Sequence, residues 1–304
     1  MTAEGADAKG VGDTGTTPST DQPTANRATA DESRVPGSLG RIGRVVGREV
    51  RTVARTRTYV VLAVALAAVL LGLTLTGSAT AGYVPTVADL LTPLEALVPV
   101  VAVAFGYRAI VSDAERGELD VLETYPVTAW EHVLGVYAGR AVGLLVAVGG
   151  SLTLAGAAVA VSQEEPAAIY ATQRGVDSPI LFARFVVLTA AFALVVLAVA
   201  IALSALANGA RSALALAIVA LIGLLVGLDL ALVLGLVEGV IPDAALVDTL
   251  AVSPLSAYRG LVFETVITTA AGTGPQAASP LASLVGLVAW LVGSLAIASW
   301  SVGR

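Results

Sequence analysis

The chain of 304 residues is 56% hydrophobic and only 13% charged, about half the charged share of an ordinary soluble domain, and its net charge is -6. It has no cysteine, one histidine (His132) and one lysine (Lys9). That excludes disulfides, thiolate metal sites, paired-histidine metal centres and, because Lys9 is followed by Gly10 rather than Ser or Thr, a Walker A phosphate loop. The acidic balance also argues against a nucleic-acid partner, which requires a clustered basic face.

In chain order, residues 1–40 are rich in Gly, Thr, Ser, Ala and Pro, carry six acidic and three basic residues and show no apolar periodicity. They read as a disordered polar tail without the apolar core of a secretory signal. Residues 41–57 are a separate element. Arg41, Arg44, Arg48, Arg51 and Arg55 recur every three or four positions with Ile42, Val45, Val46, Val50 and Val53 between them. This spacing predicts an amphipathic helix lying in the headgroup layer before the first span.

Residues 58–304 contain six stretches long and apolar enough to cross roughly 30 Å of hydrocarbon, at 58–76, 91–111, 138–161, 181–207, 212–236 and 281–302. Runs such as Val60 to Leu71 do not alternate as barrel strands do. The expected fold class is therefore all-α, a polytopic membrane protein with six transmembrane helices. With both termini placed on the cytoplasmic face of the cell membrane, eleven arginines flank the spans inside and three, Arg174, Arg184 and Arg259, outside.

The inner loop at 112–137 is the densest in charge. Glu115, Arg116, Gly117, Glu118, Leu119 and Leu122, followed by Pro126, place apolar residues within a charged rim. By itself this composition fits a docking surface for a soluble partner or a solvated loop that touches headgroups. Gly135, Gly139 and Gly143 sit four apart at the start of the third span, and Gly223 and Gly227 repeat the spacing in the fifth. Glycines so placed let helices approach closely, within one chain or between subunits.

Glu95 and Asp229 are carboxylates inside spans, so each needs a cavity, a partner or water. They are candidates for a substrate path or, equally, hydrogen-bonded groups near the outer interface. Residues 237–280 form a long outer segment in which Leu250, Val252, Leu255, Tyr258, Leu261, Val262 and Val266 fall at nearly helical spacing. One amphipathic helix resting on or dipping into the outer leaflet is expected there.

The run from Glu115 to Leu122, followed by Tyr125-Pro126-Val127-Thr128, resembles the segment after the second span of ABC-2 type transporter permeases, most nearly the NosY-like branch. Ser253-Pro254-Leu255-Ser256-Ala257-Tyr258-Arg259 is similar to a stretch that this branch carries before its last span. Where the family often has basic residues after the proline step, this chain has Ala129, Trp130 and Glu131. The resemblance covers about residues 41–304. It implies an ABC-2 exporter-type permease architecture and a coupling role for Glu115, Arg116, Gly117, Glu118, Leu119, Leu122 and Pro126 toward a separate ABC ATP-binding subunit. It also implies a second permease subunit, as homodimer or heterodimer. No cofactor is expected in this chain; ATP and Mg belong to the partner. An ion-coupled secondary transporter or channel using Asp229 or Glu95 is the alternative, and a non-transporting membrane scaffold a further one. An intramembrane enzyme finds no catalytic constellation in the sequence.

Overall fold

A computed structural model describes residues 38–117, 128–163, 177–242, 245–271 and 278–304. These residues are helical almost throughout, and no strand occurs among them. Six helices are long and apolar enough to cross a membrane.

Helix α1 (Ser38–Arg55) precedes the first span and is separated from α2 (Arg57–Thr76) by Thr56 alone, whose extended backbone turns the chain between them. A short 3-10 turn then leads to α3 (Tyr83–Gly106). Gly82 initiates α3 at φ 119°, a conformation that suits glycine. The orphan amides of Tyr83 and Val84 donate to the Asp177 carboxylate at 3.0 and 2.8 Å, so an acid from a distant segment neutralises the helix start. The short α4 (Val111–Glu115) follows.

The third span, α5 (Ala129–Ser162), starts nine residues before the predicted position, because Thr128 and Glu131 form a capping box that carries the helix out past its apolar stretch. The second span also starts earlier than expected, at Tyr83 rather than residue 91. Three further helices open on Ser-Pro: α6 (Pro179–Leu206), α10 (Pro254–Val262) and α12 (Pro280–Val302). In each the serine hydroxyl accepts from a first-turn amide and the proline occupies a position whose N–H has no helical partner.

The fifth span comprises α7 (Ala210–Ile222), a π-helical turn at Gly223–Gly227 and α8 (Leu228–Val237). Helix α6 is the most enclosed of the spans and packs against α3, α5 and α12; the α7–α8 span is the least enclosed. The core runs through α3, α5 and α6 with Phe105, Leu144, Phe185, Phe192, Leu197 and Ile201 fully buried.

The outer segment departs from expectation. Instead of one amphipathic helix on the leaflet, the chain forms α9 (Leu246–Thr249), a 3-10 turn, α10, a π-helical turn at Phe263–Ile267 and α11 (Thr268–Ala271). Within α10 every residue except Arg259 is buried, against α6 and α12. Tyr258 stacks on Phe192 with ring centroids 4.7 Å apart, and a 2.9 Å hydrogen bond joins its hydroxyl to that of Thr189. Gly260 permits the close approach, since a side chain there would collide with Ala278. Aromatic burial with a satisfied hydroxyl is what draws this segment into the bundle.

Candidate functional site

Two groups of charged side chains lie within the apolar bundle, at opposite ends of the second span. The first joins α1 to the start and end of the 112–137 loop. Arg41 donates from Nε and Nη2 to Glu131 at 3.0 and 2.7 Å, a bidentate pair whose hydrogen bond raises the Arg41 guanidinium above its ordinary pKa. Glu131 also accepts from the Thr128 amide at 3.0 Å, so one carboxylate caps α5 and holds α1.

Arg48 reaches Asp113 at 3.2 Å, and Arg116 reaches the other oxygen of the same carboxylate at 2.5 Å. Asp113 is buried, and His132 Nε2 stands 3.4 Å from it. Glu49, the one acid within the arginine stripe of α1, is also buried and accepts from Arg140 Nε at 3.2 Å. Arg140 donates further to the Tyr59 hydroxyl at 3.1 Å and to the Phe105 carbonyl.

Glu115 ties the same region to the fifth span, because its carboxylate accepts from the Ala210 amide at 2.7 Å and lies 3.5 Å from Arg108. Gly117 has φ 69°, the left-handed region in which a side chain costs roughly 1 kcal/mol or more. Glu118, Leu119, Leu122 and Pro126 lie outside the described residues. Replacing Glu115 by Ala removes the cap on α7 and should lower stability by about 1 kcal/mol, readable as a fall in the melting temperature of the detergent-solubilised protein.

The three glycines at the start of α5 receive α1. Side chains added at Gly139 and Gly143 would strike Glu49 and Val53, and a Cβ at Gly135 would lie 2.6 Å from that of Val45. This spacing therefore serves contact within the chain. Gly223 and Gly227 behave differently. A Cβ at Gly223 would meet nothing within 4 Å, and one at Gly227 only a backbone carbonyl of its own span at 3.9 Å, so the packing expected of this pair is not made among the described residues.

The second charged group is at the outer end predicted for the second span. Glu95 on α3 accepts from Arg259 on α10, with Nε at 2.7 Å from one carboxylate oxygen. Arg259, counted with the outer arginines in the sequence, neutralises an acid in a span, and this pairing raises its pKa. Asp229 accepts from the Ser256 hydroxyl at 2.9 Å. Both span carboxylates are thus committed to α10, one turn apart, rather than lining an open path.

Sequence reasoning missed the division of labour along α1. It assigned the arginine stripe to headgroups, whereas Arg41 and Arg48 bind Glu131 and Asp113, Arg48 while still exposed like Arg44, Arg51 and Arg55. The available signal was Glu49, an acid on an otherwise basic helix that needs an internal partner, with Arg140 inside a nearby span as the matching cation.

Six apolar helices with charge concentrated at the ends define a multi-pass membrane protein. Residues 43–304 match the model of the ABC-2 family transporter proteins, and the chain belongs to that family. It is thus the membrane subunit of an ABC transporter, a class that works with an ATP-binding subunit. Among curated proteins it is similar to the probable ABC transporter permease protein NosY of Stutzerimonas stutzeri, at 28% identity over 232 residues covering 73% of this chain and 80% of the relative. The protein of the same description from Pseudomonas aeruginosa is 30% identical over 175 residues, covering 56% of this chain and 61% of the relative.

Proposed function

We propose that this subunit moves its substrate by alternating access, driven by ATP hydrolysis in a separate subunit seated on the 112–137 loop, with both termini and that loop in the cytoplasm. Two permease subunits, identical or different, enclose the path, and the chain contributes no ATPase site or cofactor of its own. ATP and Mg are bound by the partner.

The observation that carries this reading is the anchorage of the loop ends. Asp113 and Glu115 at the start of the 112–137 loop and Glu131 toward its end hold α1, α5 and α7 by charged hydrogen bonds. A displacement of the loop ends is therefore passed to three helices. The positive-inside distribution supports the orientation, and the two relatives described as probable ABC permeases support the partner class. The ion pair of Glu95 with Arg259 and the hydrogen bond of Asp229 with Ser256 weigh against an ion-coupled carrier built on these two carboxylates.

The test is co-purification of an ATP-binding subunit with the full chain. Leu119→Asp is expected to reduce the recovered ATPase at least tenfold while leaving the melting temperature of the permease unchanged. Undiminished recovery would overturn the placement of the coupling surface.

A further inference from the structure

We infer that a groove beneath α1 is a binding site for one anionic phospholipid of the leaflet on the side of the chain termini. One acyl chain lies in the groove, and the headgroup phosphate is held by Arg51, Arg55 and Arg57. The groove has a volume of about 320 Å³ and is bounded by α1, α2, α5 and the end of α3. Its roof is Val50, Val53 and Ala54 of α1, its floor Tyr59 and Phe105, and its rims Val64 on α2 and Val146 on α5 are exposed at 62% and 70%, so it opens sideways among apolar exposed residues. From Tyr59 to Val64 it descends roughly 7 Å along α2, the depth of the upper part of an acyl chain.

The groove is built rather than left over. Gly143 keeps one wall free of a side chain, and the tilted contact of Tyr59 with Phe105, centroids 4.5 Å apart, closes the inner end. Tyr59 is fixed by its hydrogen bond from Arg140, which also holds α1 through Glu49. The roof and the floor thus share one charged anchor.

The choice of ligand follows from the arginines. Arg41 and Arg48 are committed to carboxylates of the bundle. Arg51, Arg55 and Arg57 are exposed, and none makes an ion pair among the described residues. Each stands within two positions of a residue that lines the groove: Val50, Ala54 and Tyr59 respectively. Three exposed cations on two helices that border the groove, without an ion pair among the described residues, lie on side chains long enough to reach a negative phosphate headgroup whose fatty chain enters the apolar slot. Moving an acyl chain from bilayer to groove gains little, because both are apolar. Selectivity therefore rests on charge, at about fivefold in affinity for each arginine near the surface.

The inference depends only on the multi-pass membrane class and stands whether or not the 112–137 loop seats an ATPase. Dioleoyl phosphatidylglycerol and dioleoyl phosphatidylcholine are titrated separately onto the delipidated full chain in neutral detergent, and bound lipid is counted by native mass spectrometry. The anionic lipid is expected to bind at least tenfold more tightly. Arg51→Gln with Arg55→Gln should weaken it about tenfold or more and leave the zwitterionic lipid unchanged. Val146→Trp, at an exposed position that tolerates bulk, should lower occupancy of the anionic lipid several-fold with all arginines in place. Arg44→Gln, two turns up α1 from the groove, should change nothing. Equal affinity for the two lipids, or unaltered binding in the double glutamine variant, overturns the site. Loss with Arg44→Gln as large as with the double variant also overturns it, in favour of diffuse attraction, and full occupancy in Val146→Trp overturns the acyl-chain placement.

Discussion

Replacing Arg259 by Ala is expected to destabilise the protein by about 3 kcal/mol, and replacing Glu95 by Ala by only about 1 kcal/mol. The asymmetry follows from exposure. The Glu95 side chain is 9% exposed and the Arg259 side chain 44%. Without Arg259 the carboxylate stays enclosed with its cation gone, which is the costly way to break such a pair. Without Glu95 the guanidinium can extend to water along its own apolar stem. Arg259→Lys should fall between wild type and Arg259→Ala, because an ammonium keeps the charge and loses the two-pronged geometry.

Replacing both partners by apolar residues of similar volume, Glu95→Leu with Arg259→Met, should recover most of the loss, since no uncompensated charge remains. Thermal unfolding in a single detergent, followed by near-UV circular dichroism, ranks the set. Equal losses for the two alanine variants would show that the pair is solvated on both sides and that α10 is held by its apolar packing and the Ser256 and Tyr258 hydrogen bonds instead.

The same pair shows where sequence reasoning stops. Spans were legible because hydropathy over about 20 residues is a property of composition: the first, fourth, fifth and sixth fall within two residues of the helical spans at Arg57–Thr76, Pro179–Leu206, Ala210–Val237 and Pro280–Val302. The helix starts at Tyr83 and Ala129 were not, because Asp89, Glu131 and His132 interrupt apolarity without interrupting the helix. Partners were the larger omission. In the sequence a charge that will pair inside the bundle looks the same as one that will meet water, so Arg41, Arg48 and Arg259 were all read as solvated or headgroup-facing.

The outer segment failed for a related reason. Helical spacing of Leu255, Tyr258, Leu261 and Val262 shows that one face is apolar, but not whether lipid or protein covers it; Thr189, Phe192 and Gly260, far apart or inconspicuous in the sequence, decide that. The glycine spacing at 135, 139 and 143 revealed close helix contact and left the contacting helix open. Its occupant is α1, which the charge pattern places as an amphipathic helix in the headgroup layer.

Gly139→Val is therefore expected to cost about 3 kcal/mol or more and to detach α1 from α5. The atoms in the way are Glu49 Cβ and, at 3.1 Å, the Val46 carbonyl oxygen. Both belong to the backbone or the root of a side chain, so no rotamer change relieves the clash and the helix itself must shift. Overpacking alone costs about 1–3 kcal/mol, and displacement of Glu49 further breaks its buried bond with Arg140. Gly149→Ala and Gly150→Ala provide the control on the same helix: a Cβ at either meets nothing within 4 Å, and both should be neutral or slightly stabilising. Melting temperatures separate a specific docking face from a general intolerance of bulk. Recovery of the ATP-binding subunit carries the argument further. Because α1 holds Asp113 through Arg48 and Glu131 through Arg41, Gly139→Val should also diminish that recovery, although it lies outside the loop and touches no residue of it. A complex retained in full by a variant whose melting temperature has fallen would show that α1 stabilises the bundle without taking part in seating the loop.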